Sequence, residues 1–140
     1  MPDLVYRPAL TTDAEAVLAF WATAAEDDQR PPDSSAAVLR LIERDPEALI
    51  LAFDNDQLVG SIIAGWDGWR CHLYRLAVAP THRRRGIART LIAQAESRFT
   101  TYGGTRAGAM VLDTNTDAHP TWTKAGYTPQ PTWSRWVKPL

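Results

Sequence analysis

Stretches of strand-like and helix-like hydrophobic spacing alternate along the chain and predict ten elements. The predicted strands have continuous or alternating apolar residues and lie at 4–7, 48–53, 58–65, 70–79, 106–114 and 133–138. The predicted helices have apolar residues three and four positions apart and lie at 12–24, 34–44, 86–102 and 117–125. The order β-α-α-β-β-β-α-β-α-β predicts an α/β (α+β) fold in which helices cover one mixed sheet.

Capping and turn residues indicate where several of these elements begin or end. Thr12 and Glu15 form a capping-box pattern, which predicts the start of the first helix. The pair Asp67-Gly68 is typical of a tight hairpin turn and separates the third strand from the fourth. The fourth strand ends before Pro80, because proline has no backbone N–H to offer a neighbouring strand.

The loop after the fourth strand carries the strongest chemical signal. Three consecutive arginines, Arg83–Arg85, precede Gly86, a residue that lets the backbone approach a ligand closely. The first N–H groups of the following helix have no acceptor within the helix and lie at its positive end. These residues therefore predict a site for a phosphorylated ligand at the helix N-terminus.

Composition narrows the class of protein. The chain has 140 residues, so we expect a single domain over residues 1–140. A formal net charge of -1 argues against nucleic acid or an acidic membrane as the main partner. We expect a cytoplasmic protein, because no membrane-length apolar run or secretory pattern is visible and Cys71 is the only cysteine. His72, His82 and His119 lack metal-ligand spacing, so no metal site is predicted.

The arginine–glycine loop matches a known family motif. Arg83, Gly86 and Ala88 occupy the three fixed positions of the pattern R/Q-x-x-G-x-G/A. Val78 and Pro80 match the V-x-P that usually precedes this pattern. The match lies in the strand–loop–helix context that the motif requires.

A second block, at 115–127, matches the pattern N-x-x-A-x-x-x-Y-x-K-x-G-F of the same family. The residues in register are Asn115, Ala118, Lys124 and Gly126, with Tyr127 at the phenylalanine position. On these two blocks the chain resembles a small, single-domain, bacterial-type member of the GNAT N-acetyltransferase superfamily over essentially its whole length. Trp122 departs from the pattern, because many members carry a tyrosine there that is thought to protonate the departing thiolate.

The resemblance implies a coenzyme site. The central, mostly antiparallel sheet should splay open between the fourth strand and the strand at 106–114, so that backbone groups in the gap pair with the pantetheine arm of acetyl-coenzyme A. The loop should hold the pyrophosphate. The residues expected to contact the coenzyme, or an acyl-phosphopantetheine, are Leu76, Ala77, Val78, Arg83, Arg84, Arg85, Gly86, Ile87, Ala88, Arg89, Thr90, Asn115 and Trp122.

The implied activity is N-acyl transfer from coenzyme A, with acetyl as the expected group, to a primary amine of a small molecule or peptide. The amine should attack directly in a ternary complex, with the backbone N–H of Val78 stabilising the oxyanion. A base must deprotonate the amine, and the candidates are His72, Tyr74 or a water chain. The stretch at 109–111 lacks the glutamate that some members carry there.

The amine should bind in a groove between the first two helices and the hairpin at 66–69. Candidate contacts are Trp21, Trp66, Asp67 and Trp69, with Trp122, Trp133 and the acidic run at 26–28 nearby. Tryptophan faces and carboxylates suit a cationic or aromatic amine. Oligomeric state, monomer or homodimer, stays open.

Two alternatives keep the fold and change the role. The acyl group could come from the phosphopantetheine of a carrier protein, whose acidic surface would meet Arg83–Arg85 and Arg89. Trp122 and the missing glutamate would instead suit a non-catalytic sensor that binds coenzyme A.

Overall fold

The computed structural model describes residues 4–24 and 32–140. The chain divides into two compact units, residues 1–110 and 111–140. Within the described ranges, no helix has the length and apolar character needed to cross a membrane.

The first unit contains the whole sheet. Its strands are β1 (Leu4–Pro8), β2 (Leu49–Asp54), β3 (Gln57–Trp66), β4 (Cys71–Val78) and β5 (Ala107–Ala109). They lie side by side in the order β1-β2-β3-β4-β5, with antiparallel pairing through β4 and parallel pairing between β4 and β5. The α-helices are α1 (Ala14–Ala24), α2 (Ser35–Arg44) and α3 (Ile87–Thr101) in this unit, and α4 (His119–Lys124) in the second. The predicted mixed sheet with covering helices is confirmed.

The two last predicted strands are wrong in part or in full. The strand expected at 106–114 forms only at Ala107–Ala109, and the strand expected at 133–138 does not form. Beyond β5 the backbone forms local turns instead of strand pairs. Asn115 N–H donates to Leu112 O, and Trp133 N–H donates to Gln130 O. Apolar β-formers become a strand only when a neighbouring strand takes up their backbone hydrogen bonds.

The first helix also begins differently from its capping-box prediction. A 3-10 turn at Thr11–Asp13 precedes α1, and the Asp13 carboxylate accepts a 2.7 Å hydrogen bond from the N–H of Leu10. Arg7 holds the same carboxylate with two hydrogen bonds of 2.8 and 3.1 Å, which lower the pKa of Asp13. Glu15 instead accepts from the hydroxyl of Ser35. Asp13, held by Arg7 of β1, therefore stabilises the start of the helix in place of Thr12.

Helices α1 and α3 cover opposite faces of the sheet. On β3, Gly60 lies under α3, where an added Cβ would stand 2.8 Å from Ile87 Cγ2. The next residue, Ser61, accepts a hydrogen bond from Trp21 of α1, and consecutive strand residues point to opposite faces. The apolar face of α3 is buried through Ile87, Leu91, Ile92, Ala95 and Phe99.

The close approach of α3 to β3 predicts a stability effect for Gly60→Ala. The new methyl group would crowd Ile87 Cγ2 at 2.8 Å and Ala52 Cβ at 3.2 Å. We expect unfolding free energy to fall by about 1–3 kcal/mol, the usual cost of overpacking. Urea denaturation measures this change. Gly108→Ala, whose added Cβ meets nothing within 4 Å, is the matched control, and equal losses in both variants would contradict the packing argument.

Candidate active site

The loop between β4 and α3 exposes the start of a helix. Gly86 is the N-cap of α3 with φ of +78°, and Arg84 also lies in the left-handed region with φ of +65°. The first hydrogen bond within α3 runs from Thr90 N–H to Gly86 O, at 3.0 Å. The N–H groups of residues 87–89 precede this bond and have no acceptor within the helix. An added Cβ on Gly86 would meet no atom within 4 Å, so the backbone here is open to a ligand.

Positive charge surrounds this helix start. Arg83, Arg84, Arg85 and Arg89 are exposed, and Ala88 and Thr90 are half-buried. Ile87 has a buried side chain, so only its backbone is available to a ligand. A row of backbone N–H groups beside guanidinium groups is an arrangement that binds phosphate oxygens.

A buried histidine anchors the loop to the rest of the sheet. His82 is 7% exposed, and its Nε2 lies 2.8 Å from the Asp54 carboxylate at the end of β2. Its Nδ1 lies 2.8 Å from the hydroxyl of Thr81. In the sequence, His82 has no recognisable role, because it lacks the spacing of a metal ligand. No local pattern links His82 to Asp54, because 28 positions separate them.

Strand β4 has one edge that is paired only at its beginning. β5 pairs with Cys71, His72 and Leu73, whereas β4 continues to Val78. On the other side, β3 pairs with β4 as far as Val78. The two strands predicted to splay apart are therefore paired over three residues only, and the rest of this edge of β4 has no strand partner among the described residues.

The register on β3 determines which residues face the open edge. Ala79 N–H donates to Val59 O at 2.8 Å, so the adjacent pair, Gly60 and Val78, is a non-hydrogen-bonded pair. The N–H and C=O of Val78 consequently point away from β3, and alternation gives Leu76 the same direction. Ala77 directs its backbone toward β3 and has a buried side chain, so the prediction that Ala77 contacts the coenzyme is not supported by the geometry.

The two candidates for proton transfer share one face of β4. His72 and Tyr74 are exposed and alternate with buried Cys71 and Leu73. The Tyr74 ring lies close to Gly65, whose added Cβ would stand 3.3 Å from Tyr74 Cε1. Partial burial raises the pKa of Tyr74, so the phenol keeps its proton at neutral pH. Tyr74 is therefore suited to donate a hydrogen bond and poorly suited to act as a base.

The β3–β4 hairpin presents a carboxylate and a tryptophan. Asp67 Oδ1 accepts hydrogen bonds from the N–H groups of Trp69, at 2.8 Å, and Arg70, at 2.6 Å. The bond from Arg70, followed by that from Trp69, lowers the pKa of Asp67, and nearby His72 lowers it further. Trp69 is 87% exposed. A charged carboxylate and an open indole thus lie on one turn.

The other two tryptophans predicted to contact the amine lie elsewhere. Trp21 is 4% exposed and its indole N–H is bonded to Ser61, which makes it part of the core. Trp66 follows Gly65 on β3 and therefore points to the face opposite His72, where it stacks on Tyr102 with ring centroids 6.4 Å apart. The predicted set of Trp21, Trp66, Asp67 and Trp69 does not form one surface, because strand alternation and helix packing separate its members.

The second unit carries the remaining candidates. Asn115 lies in a turn, where its carbonyl accepts from Ala118 N–H at 3.2 Å. Trp122 is the buried residue of α4, and its ring meets Tyr127 edge-on at 5.1 Å. Trp133 is 75% exposed. The acidic run at 26–28 lies outside the described residues, and the described ranges hold no cluster of three potential metal ligands.

Comparison with known proteins gives the same family as the motifs. The model of the acetyltransferase (GNAT) family matches residues 15–127. An acetyltransferase of Pectobacterium atrosepticum is 36% identical over 104 residues, which are 74% of this chain and 72% of that protein.

Solved structures with low sequence identity share the fold. The PaiA N-acetyltransferase of Thermoplasma acidophilum, in complex with coenzyme A, has a TM-score of 0.80 at 17% identity and covers 91% of each chain. AAC(6')-Iy, in complex with the bisubstrate analogue CoA-S-monomethyl-acetylneamine, has a TM-score of 0.78 at 19% identity and covers 99% of each chain. The arginine–glycine loop at the N-terminus of α3 and the mixed sheet agree with the family match. That match identifies this chain as a member of the GNAT acetyltransferase family.

Proposed function

We propose that this protein transfers an acetyl group from acetyl-coenzyme A to a primary amine of a small molecule or peptide. The observation that carries the proposal is the continuity of two binding elements. Leu76 and Val78, on the edge of β4 that β5 leaves unpaired, are followed in the chain by the loop at 79–85 and then by the exposed start of α3 at Gly86. An extended ligand with amides at one end and phosphates at the other fits this order. The coenzyme A complex of the PaiA relative supports the same ligand class.

The residues present fit coenzyme A at both of its ends. The N–H groups of residues 87–89 and the exposed guanidinium groups of Arg84 and Arg85 would bind the pyrophosphate. The outward backbone groups of Leu76 and Val78 would pair with the amides of the pantetheine arm, as a peptide adds to a sheet edge. His82, fixed by Asp54, would keep the arginine loop in position.

Three groups of this chain would serve the reaction itself. Acetyl-coenzyme A supplies an activated thioester carbonyl. The N–H of Val78 points to the open edge and would donate to the carbonyl oxygen as negative charge develops on it. His72 would accept the proton of the attacking amine, directly or through water. Tyr74, which keeps its proton, would donate a hydrogen bond beside it.

The hairpin suggests a cationic acceptor. Asp67 stays ionised because backbone N–H groups stabilise its carboxylate, and the exposed Trp69 ring lies two residues further on. A carboxylate and an indole face together attract an ammonium group. Asp67 precedes the strand that carries His72, so an amine bound at the turn would be near the proposed base. The structure of AAC(6')-Iy, which shares the fold, contains a bisubstrate analogue in which coenzyme A is linked to acetylneamine.

Gly86→Glu tests the pyrophosphate site. A side chain there would occupy the open space above the helix start, and its carboxylate would repel the phosphates. We expect coenzyme A binding, measured by isothermal titration, to weaken by about a hundredfold or more, or about 2.8 kcal/mol.

Gly103→Glu is the matched control for Gly86→Glu. Gly103 also has a positive φ, +91°, with no atom within 4 Å of an added Cβ, and it lies just beyond the C-terminal end of α3. The two variants should therefore carry a similar backbone strain. Coenzyme A should bind to the Gly103→Glu variant with wild-type affinity. Wild-type affinity in folded Gly86→Glu protein would contradict the site.

His72→Ala and Trp122→Phe separate a proton carrier from a residue without a chemical role. If His72 is the base, its loss should slow acetyl transfer by about 10²–10⁴-fold near neutral pH. The rate should recover as pH rises, because the amine then loses its proton unaided. Trp122→Phe should keep turnover within about tenfold, since an indole N–H is not a useful acid.

Release of coenzyme A from acetyl-coenzyme A, with an amine that the wild type accepts, measures both variants across pH. A His72→Ala pH–rate profile that overlays the wild-type profile would remove His72 from the mechanism. A loss well beyond tenfold in Trp122→Phe would assign Trp122 a role that the proposal does not contain.

A further inference from the structure

A β-bulge in β4 sets the direction of the backbone groups at the open edge. Tyr74 pairs with Ile63 and Ala77 pairs with Ser61, so two residues of β4, Arg75 and Leu76, oppose the single residue Ile62. Arg75 has φ of +55°, which is uncommon for a residue with a side chain and must be held by its surroundings.

The bulge decides which residues of β4 can pair with a ligand. If the register of Tyr74 and Ile63 continued unbroken, Leu76 would lie opposite Ser61 and Val78 opposite Val59. Both would then direct their backbone groups toward β3, because a slip of one residue reverses the alternation. With the bulge, Leu76 and Val78 face the open edge instead.

A buried chain of hydrogen bonds holds this bulge. The indole N–H of Trp21 donates to Ser61 Oγ over 2.9 Å, and the Ser61 hydroxyl donates to the carbonyl oxygen of Arg75 over 2.9 Å. Ser61 is 0% exposed and Trp21 is buried, so water does not compete for these bonds. Ser61 thus links helix α1 to the backbone carbonyl of the left-handed residue, Arg75.

The side chain of Arg75 holds Trp21, the residue at which this chain of hydrogen bonds begins. Its guanidinium lies over the Trp21 ring at 4.8 Å from the centroid. Two hydrogen bonds of 3.0 and 2.6 Å tie it to the carboxylate of Asp33. The indole is therefore held with its N–H directed at Ser61.

We propose that Ser61 and Trp21 are positioning residues for the coenzyme. They hold the Arg75 bulge, and the bulge presents the N–H and C=O groups of Leu76 and Val78 to the pantetheine arm. This inference rests on the proposed function, because it assumes that the pantetheine arm pairs with the open edge of β4.

Two ligands separate this role from a general effect on folding. Coenzyme A contacts both the β4 edge and the arginine loop, whereas its nucleotide half, 3′-phosphoadenosine 5′-diphosphate, lacks the pantetheine arm. Ser61→Ala removes the bridge, and Trp21→Phe removes the donor, with some ring volume, while keeping an aromatic ring under Arg75. In both variants coenzyme A affinity should fall about tenfold, with the affinity for the nucleotide half within about twofold of the wild type.

Thr23→Val is the matched control on α1. The Thr23 hydroxyl donates to Phe20 O within the helix and does not contact the bulge, so both ligands should bind as they do to the wild type. Urea denaturation of all variants shows whether each is folded under the titration conditions.

A pair of substitutions at Arg75 tests the backbone directly. Arg75→Gly permits φ of +55°, whereas Arg75→Val does not tolerate it because valine is β-branched. Both variants lose the guanidinium that stacks on Trp21, so the comparison isolates the backbone, and coenzyme A affinity should be about tenfold or more lower in Arg75→Val than in Arg75→Gly. The nucleotide half should bind both proteins alike.

The affinities of these variants for coenzyme A and for its nucleotide half decide between a positioning role and a general effect on folding. Wild-type coenzyme A affinity in folded Ser61→Ala and Trp21→Phe would overturn the positioning role, as would equal losses for coenzyme A and its nucleotide half. If Ser61→Ala does not fold, Trp21→Phe and the Arg75 pair decide the question by the same criteria. A wild-type protein that binds neither ligand would overturn the proposed function itself.

Discussion

The site depends on an asymmetry in the hydrogen bonding of β4. β3 pairs with β4 up to Val78, whereas β5 pairs only with Cys71, His72 and Leu73. Backbone N–H and C=O groups need partners, and a strand edge that lacks a neighbouring strand can receive an extended ligand. The short length of β5 therefore leaves part of one edge of β4 without a strand partner, and the proposed function assigns the pantetheine arm to that edge.

The direction of the backbone groups along this edge follows from the bulge in β4. The extra residue at Arg75 reverses the alternation, so that Leu76 and Val78 face the open edge and Ala77 faces β3. A left-handed arginine is unfavourable by itself. Hydrogen bonds through Ser61 and stacking on Trp21 stabilise it, which gives the fully buried Ser61 hydroxyl a structural role. In the proposed positioning role, the carbonyl of Arg75 is the point at which core packing affects the geometry of the ligand site.

The arginine loop offers a ligand positive charge and helix N–H groups instead of a strand edge. Four exposed arginines lie around a helix start whose N–H groups point outward, so phosphate would meet charge and hydrogen-bond donors together. A loop of like charges repels itself and needs an anchor. The buried His82 supplies it by joining Asp54 at the end of β2 and Thr81 beside it. This anchor joins the loop between β4 and α3 to the end of β2.

The sequence alone determined the features that depend on neighbouring residues. Apolar spacing predicts α2, α3 and the first four strands, and Arg83, Gly86 and Ala88 predict the phosphate loop, because helix periods and turn residues act within a few positions. Only the tertiary structure decided the rest. Trp21 is a core residue because Ser61, 40 positions away, accepts its N–H. Trp66 and His72 lie on opposite faces because of strand register, and 133–138 is not a strand because no described strand pairs with it. Such outcomes depend on which distant segments meet, and a local pattern does not contain that information.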